Sequence, residues 1–141
     1  MEFFAAIGGT AWTVFFFIVA LSVIVFVHEY GHYIVGRWSG IHAEVFSIGF
    51  GPVLWKRRDR RGTQWQIAAV PFGGYVKFLG DADATSVRPA DVTGLSASER
   101  RHTMAGAPLS SRSATAAAGP VANFILTFVL LAGILLALGV P

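Results

Sequence analysis

Residues 26–33 read FVHEYGHY, and they close an apolar run, Trp12 to Val27, that carries no charge. His28 and His32 are four apart, so on a helix turning about 100° per residue both imidazoles leave one face, about one turn apart. That spacing lets both reach one zinc ion, while Glu29 falls on the adjacent flank, where it reaches a metal-bound water instead of the metal. The chemistry of this HExxH arrangement is peptide hydrolysis. The metal acidifies the water and polarises the carbonyl, while Glu29 takes the proton and later passes it to the leaving amine. An ordinary exposed helix face is the competing reading. It fits poorly, because ionisable side chains in a membrane span cost roughly 2.5 to 3.5 kcal/mol each and are usually functional. With Arg37 marking the interface, His28 lies deeper by about 13 Å at a rise of about 1.5 Å per residue. Gly31 keeps one turn of the motif free of bulk, which serves close approach of a neighbouring helix or substrate, or simple helix packing.

The elements that must carry these side chains are visible in composition. Of 141 residues, 54% are hydrophobic and 13% charged, which does not describe a soluble domain. The apolar residues gather in two blocks, about Ile7 to Val35 and about Ala114 to Val140, each exceeding the roughly 20 residues that cross a bilayer. A cleaved signal peptide does not account for the first block. Met1-Glu2-Phe3-Phe4 has no basic n-region, and the run is longer than an h-region. The second, AGPVANFILTFVLLAGILLALGV, is apolar all round, whereas a soluble surface helix shows a polar face. All Lys and Arg residues lie between Arg37 and Arg112, so the connector is expected in the cytoplasm and both termini of this chain on the opposite side. The basic run KRRDRR, Lys56 to Arg61, reads as solvated or facing lipid headgroups; no nucleic-acid partner is expected. The absence of cysteine excludes disulfides and thiolate metal ligands.

The expected fold is an α-helical membrane protein with two transmembrane helices. A cytoplasmic connector joins them, with a small antiparallel β-sheet that lies at the membrane or dips into it. Residues 1–37 form the first span with the HExxH motif and 38–80 a β-rich membrane-associated segment. Residues 81–113 form a cytoplasmic loop with a short helix, and 114–141 the second span. Within the sheet, IHAEVFSIGFGPVLW places Phe46, Ile48 and Phe50 on one side of an extended chain until Gly49, Gly51 and Pro52 break it. Arg61-Gly62 supplies a hairpin turn, TQWQIAAV alternates again up to Pro71, and PFGGYVKFLG is a further short strand. Ser96 and Glu99 have capping-box spacing, which predicts a helix from about Ala97 to Met104. Pro120 is expected in the first turn of the second span, where it costs no helical hydrogen bond.

Taken together, VHEYGHYIVGRWSGIHAEVFSIGFGP, QIAAVPFGGYVKFLG and Arg112 followed by AAAGPVANF resemble the site-2 protease family of intramembrane zinc metalloproteases. The likeness is to its bacterial branch, of the regulator of sigma-E protease type, and covers nearly the whole chain. It implies a multi-pass protease of the bacterial inner membrane that cleaves single-pass transmembrane proteins such as anti-sigma factors, with zinc as cofactor. On that likeness His28 and His32 are zinc ligands and Glu29 the general base. Gln66 to Gly80 is then a membrane-dipping hairpin with an exposed edge. A peptide bond inside an intact helix is shielded, whereas substrate added to a strand edge presents its carbonyl. Gly73, Gly74, Tyr75 and Val76 are the substrate-binding candidates on that edge, with Asn123 of the GPxxN positions beside them. The implied partners are membrane lipid, the substrate protein and the remaining C-terminal part of the protease.

One departure is large. The family's third zinc ligand, an aspartate in an LDG-type motif, is not in this sequence, nor is a PDZ domain, whereas catalytic zinc takes three protein ligands. His42 and His102 are the histidines left to recruit. The chain is expected to be the N-terminal part of a longer protease. The alternative is a non-catalytic membrane adaptor that keeps the fold. An intact Glu29 favours the enzyme, and the missing ligand favours the adaptor. A metal transporter is disfavoured, because two spans give too little surface for alternating access.

Overall fold

A computed structural model describes residues 2–81 and 94–139, with the side chains of the first helix from residue 8 onward. The elements are α1 (Glu2–Trp38), β1 (Ala43–Arg58), β2 (Gln64–Phe78), α2 (Ala97–Arg101) and α3 (Leu109–Leu138). Gly8–Trp38 and Leu109–Leu138 are long and apolar enough to cross a membrane, and the most apolar stretch of each is not buried inside the protein. Of the loop expected over 81–113, residues 82–93 lie outside the described residues.

The motif helix ends in a glycine cap. Gly40 has φ +83°, and Ile41 N–H donates back to the Gly36 carbonyl at 2.9 Å, the bond pattern of a left-handed helix stop. Beyond it β1 and β2 pair antiparallel, and both bend, so the ladder doubles back. Phe46 has Val76 on one flank and Trp65 on the other, while Arg57 also faces Trp65. The outer segments are therefore 53–58 and 74–78. Gly49 and Gly51, at φ +87° and +80°, supply the bend of β1 without ending it. They also break the alternation: Phe46 and Ile48 join the core, whereas Phe50 remains 45% exposed and stacks on Tyr75 instead. The two strands expected around Pro71 are one strand, because Pro71 falls in the unpaired stretch between Val70 and Gly74, where its missing N–H costs no ladder bond.

The core joins α1 to the sheet. Tyr33, Ile41, Ala43, Phe46, Phe78 and Ala107 are buried together. Trp65 stacks on Phe46 at 4.4 Å between ring centroids and meets Tyr33 edge-on at 5.2 Å. Such aromatic pairs are worth about 0.5 to 1.5 kcal/mol each beyond the area they bury.

Two expectations are corrected. Helix α2 has the capping box at Ser96 and Glu99 but stops at Arg101, short of Met104. The hydroxyl of fully buried Thr103 donates to the Arg100 carbonyl at 2.7 Å and accepts from Gly106 N–H at 2.9 Å, which closes a turn in place of further helix. Pro120 lies well inside α3, not in its first turn, since that helix begins at Leu109. The proline therefore removes the N–H that would bond the Ala116 carbonyl.

Candidate active site

Helix α1 delivers His28 and His32 to one face, as the spacing requires, and α3 closes over that face. The two Nε2 atoms lie 3.2 Å apart with the rings nearly perpendicular. Two nitrogens bonded to one tetrahedral zinc at about 2.0 to 2.1 Å would be separated by about 3.3 Å. The helices approach this closely because each presents a glycine to the seam, Gly31 toward Ala118 and Ala122 and Gly119 toward the two histidines. A Cβ on Gly31 would overlap the Ala118 carbonyl, and one on Gly119 would overlap Nε2 of both histidines. Gly31 thus faces α3.

Helix α3 also orients the imidazoles. His32 Nδ1–H donates to the Thr115 carbonyl at 2.7 Å, which leaves the Nε2 lone pair available. Asn123 Nδ2 lies 3.2 Å from His28 Nδ1, and its Oδ1 is buried with no partner among the described residues. The three contacts form one metal-free chain: Asn123 Nδ2–H donates to His28 Nδ1, His28 Nε2–H donates to His32 Nε2, and His32 donates to Thr115. A metal on His28 Nε2 requires the proton on Nδ1 and an acceptor beside it. The Asn123 amide turned through 180° brings its orphaned oxygen to that place. Two ring nitrogens 3.2 Å apart whose only partner among the described residues is each other, a glycine cradle beside them and an acceptor in reserve make the residues present fit a zinc ion.

Glu29 points from the same helix toward the sheet. A cavity of about 290 Å³ is lined by Glu29, His32, Gly74, Tyr75, Val76, Thr115 and Ala116 among others. Val76 and the Glu29 side chain thus face the same cavity. Gly74 is the point of contact: a Cβ there would sit 3.3 Å from Glu29 Cγ and 2.9 Å from Val25 Cγ1. The 74–78 segment pairs with β1 on one flank only, so its other flank is an edge beside Glu29.

The structure separates the substrate-binding candidates. Gly73, with φ +149°, turns the chain into the edge beside Gly74. Val76 packs its side chain on the core, so the edge offers its backbone. The Tyr75 hydroxyl accepts from Gln66 Nε2 at 3.2 Å. Asn123 lies on His28, in a separate cavity with Pro120, Phe124 and Thr127. His42 and His102 line a different cavity, with Arg37 and Arg61, and are not brought to the pair. Among the described residues no three His, Cys, Asp or Glu side chains are grouped to hold a metal. Two features were not singled out from sequence: the Thr115 carbonyl, a backbone group with no side-chain signature, and Gly119 as the wall of the imidazole pair.

The chain matches the model of peptidase family M50 over residues 16–140 and belongs to that family, the site-2 protease family of the resemblance above. A protein of Agrobacterium fabrum named as a candidate zinc metalloprotease is 56% identical over 119 residues, covering 82% of this chain and 31% of the relative. A similarly named protein of Rhizobium meliloti is 52% identical over 117 residues, 82% of this chain and 31% of the relative. The regulator of sigma-E protease RseP of Salmonella typhimurium is 48% identical over 114 residues, 81% of this chain and 23% of the relative. The chain therefore spans under a third of the length of these relatives.

Proposed function

We propose that this chain supplies the HExxH half of an intramembrane zinc metalloprotease that cleaves the transmembrane segments of single-pass proteins such as anti-sigma factors. The reading places it in a bacterial inner membrane, with α1 and α3 as spans and the connector in the cytoplasm. The observation that carries it is the convergence of His28 and His32 Nε2 at 3.2 Å between two membrane-length helices, with His32 already oriented by Thr115.

In this reading His28 and His32 hold zinc, and a third ligand comes from the remaining C-terminal part of the protease. Bound there, zinc supplies Lewis acidity toward the scissile carbonyl and toward water. Glu29 holds the proton of the attacking water and returns it to the leaving amine. The 74–78 edge receives an unwound stretch of substrate through main-chain hydrogen bonds and brings its carbonyl to the cavity shared by Glu29 and His32. Thr115 and Asn123 keep the imidazoles in place while this happens.

The absence of a three-ligand group among the described residues favours a second reading, a membrane adaptor that keeps the fold without hydrolysis. Zinc content of the detergent-purified chain, beside a His28→Ala control, tests the metal reading. Zinc that is lost in the control is the expected result. Equal zinc in both samples would remove His28 from the ligand set.

A further inference from the structure

Five cations crowd the turn between β1 and β2, and the candidate active site uses none of them. Lys56, Arg57, Arg58, Arg60 and Arg61 are all exposed. Among the described residues the ion pair is Lys77 with Glu44 at 3.8 Å, and no carboxylate pairs with these five. Their own acid, Asp59, is occupied internally. Its Oδ1 accepts from the Arg61 and Thr63 backbone N–H groups at 2.8 and 3.1 Å, and its Oδ2 accepts from Trp65 Nε1 at 3.1 Å. Asp59 thus braces the turn and offsets one of its five positive charges, which leaves a net excess of four.

The guanidinium groups also surround a shaped space. A cavity of about 350 Å³ is lined by Trp55, Arg57, Arg58, Asp59, Arg60 and Trp65. Trp55 is 52% exposed and neighbouring Leu54 is 70% exposed, so the rim is apolar as well as cationic. Its depth is fixed by the fold. Arg61 shares the adjoining cavity with Arg37 of the last turn of α1, and a Cβ on Gly62 would touch His42. The turn therefore stands level with the end of α1, where tryptophan and arginine meet lipid phosphates if that helix crosses a bilayer.

We propose that the space between Trp55 and Trp65 binds the phosphate headgroup of an anionic phospholipid, with Arg57, Arg58 and Arg60 on the phosphate and Trp55 against the glycerol region. Single-stranded RNA is the other polyanion such a patch could attract, but base stacking needs free aromatic faces. Trp65 already stacks on Phe46, which disfavours it. The proposal rests on α1 spanning a membrane and not on zinc or hydrolysis, so it can fail while the protease reading stands.

Native mass spectrometry of the detergent-purified chain, titrated with phosphatidylglycerol, phosphatidylcholine and inorganic phosphate, tests it. Phosphatidylglycerol is expected to be retained in preference to phosphatidylcholine, with affinity falling as salt rises. Joint Arg57→Gln, Arg58→Gln and Arg60→Gln is expected to weaken that retention roughly a hundredfold. A charge control, Arg100→Gln with Arg101→Gln on α2, is expected to leave it unchanged. Equal retention of both lipids, an equal loss in the charge control, or inorganic phosphate bound as tightly as phosphatidylglycerol would each overturn the proposal. So would a short RNA that displaces the lipid.

Discussion

Glu29 projects from α1 toward the sheet beside Gly74 and Val76, with the His28 and His32 side chains on the adjoining face of its own helix. Exchanging its carboxylate for an amide keeps the shape and removes the base. Glu29→Gln is expected to lower peptidase activity of the whole protease by about a hundred- to ten-thousandfold while zinc content stays the same; an adaptor would keep its function. Asn123 works differently, through His28. Asn123→Ala is expected to weaken zinc binding by about ten- to a hundredfold, read by competition with a coloured chelator. Asn123→Asp is expected to restore it, because a carboxylate accepts from His28 Nδ1–H. Failure of aspartate to rescue would mean that Asn123 acts through packing alone. His28, Glu29 and His32 were legible in the sequence because the helical period dictates their faces. The pairing of Asn123 with His28 was not, because it depends on how α3 is rotated against α1.

The seam between α1 and α3 is closed by Gly31 and Gly119. Gly119→Ala would drive a methyl into both imidazoles, so it is expected to cost about 1 to 3 kcal/mol by overpacking and to lower zinc occupancy together with thermal stability. Gly133→Ala, on the same helix where an added Cβ meets nothing, is the matched control. Helix α2 responds to pH instead. The Ser96 hydroxyl at 2.6 Å, and then the Ser96 N–H at 3.0 Å, hold the Glu99 carboxyl below the ordinary glutamate range. A lowered folded-state value means that this contribution is full above the ordinary range and is lost as pH falls through the lowered one. Protection of the Glu99 and Arg100 amides, taken relative to the intrinsic base-catalysed exchange rate, is expected to hold at neutral pH and to fall only in acid. Protection that falls on approaching neutral pH would contradict the assignment. Both long helices were readable from apolar runs alone, and α2 from its cap. The doubled-back ladder was not, because it depends on two positive-φ glycines and on pairings that no local pattern announces. The start of α3 was missed: Ser110 to Ser113 look like loop by composition, yet the helix begins at Leu109.

For the molecule as a whole, the proposed sidedness can be read by labelling. The chain has no cysteine, so single cysteines can be labelled without background. A cysteine at Arg60 is expected to react only from the cytoplasmic side of oriented vesicles, and one at Gly9 only from the opposite side. The reverse pattern would invert the topology. With two imidazoles in place and no third ligand grouped with them among the described residues, this chain is expected to hold zinc more weakly than the whole protease.

The partners of the two histidines lie far along the chain: Thr115 is 83 residues after His32, and Asn123 is 95 after His28. On the reading proposed above, with both long helices as spans and a synthesis rate of roughly 5 to 20 residues per second, α3 would follow the motif into the membrane roughly 4 to 20 s later. During that interval the sheet is already made and can cover Glu29, while the imidazole face of α1 meets lipid with its nitrogens unmatched. In that reading a newborn α1 would be held in the membrane by its own apolar length, and its polar face would find its partners only once its distant neighbour has been translated.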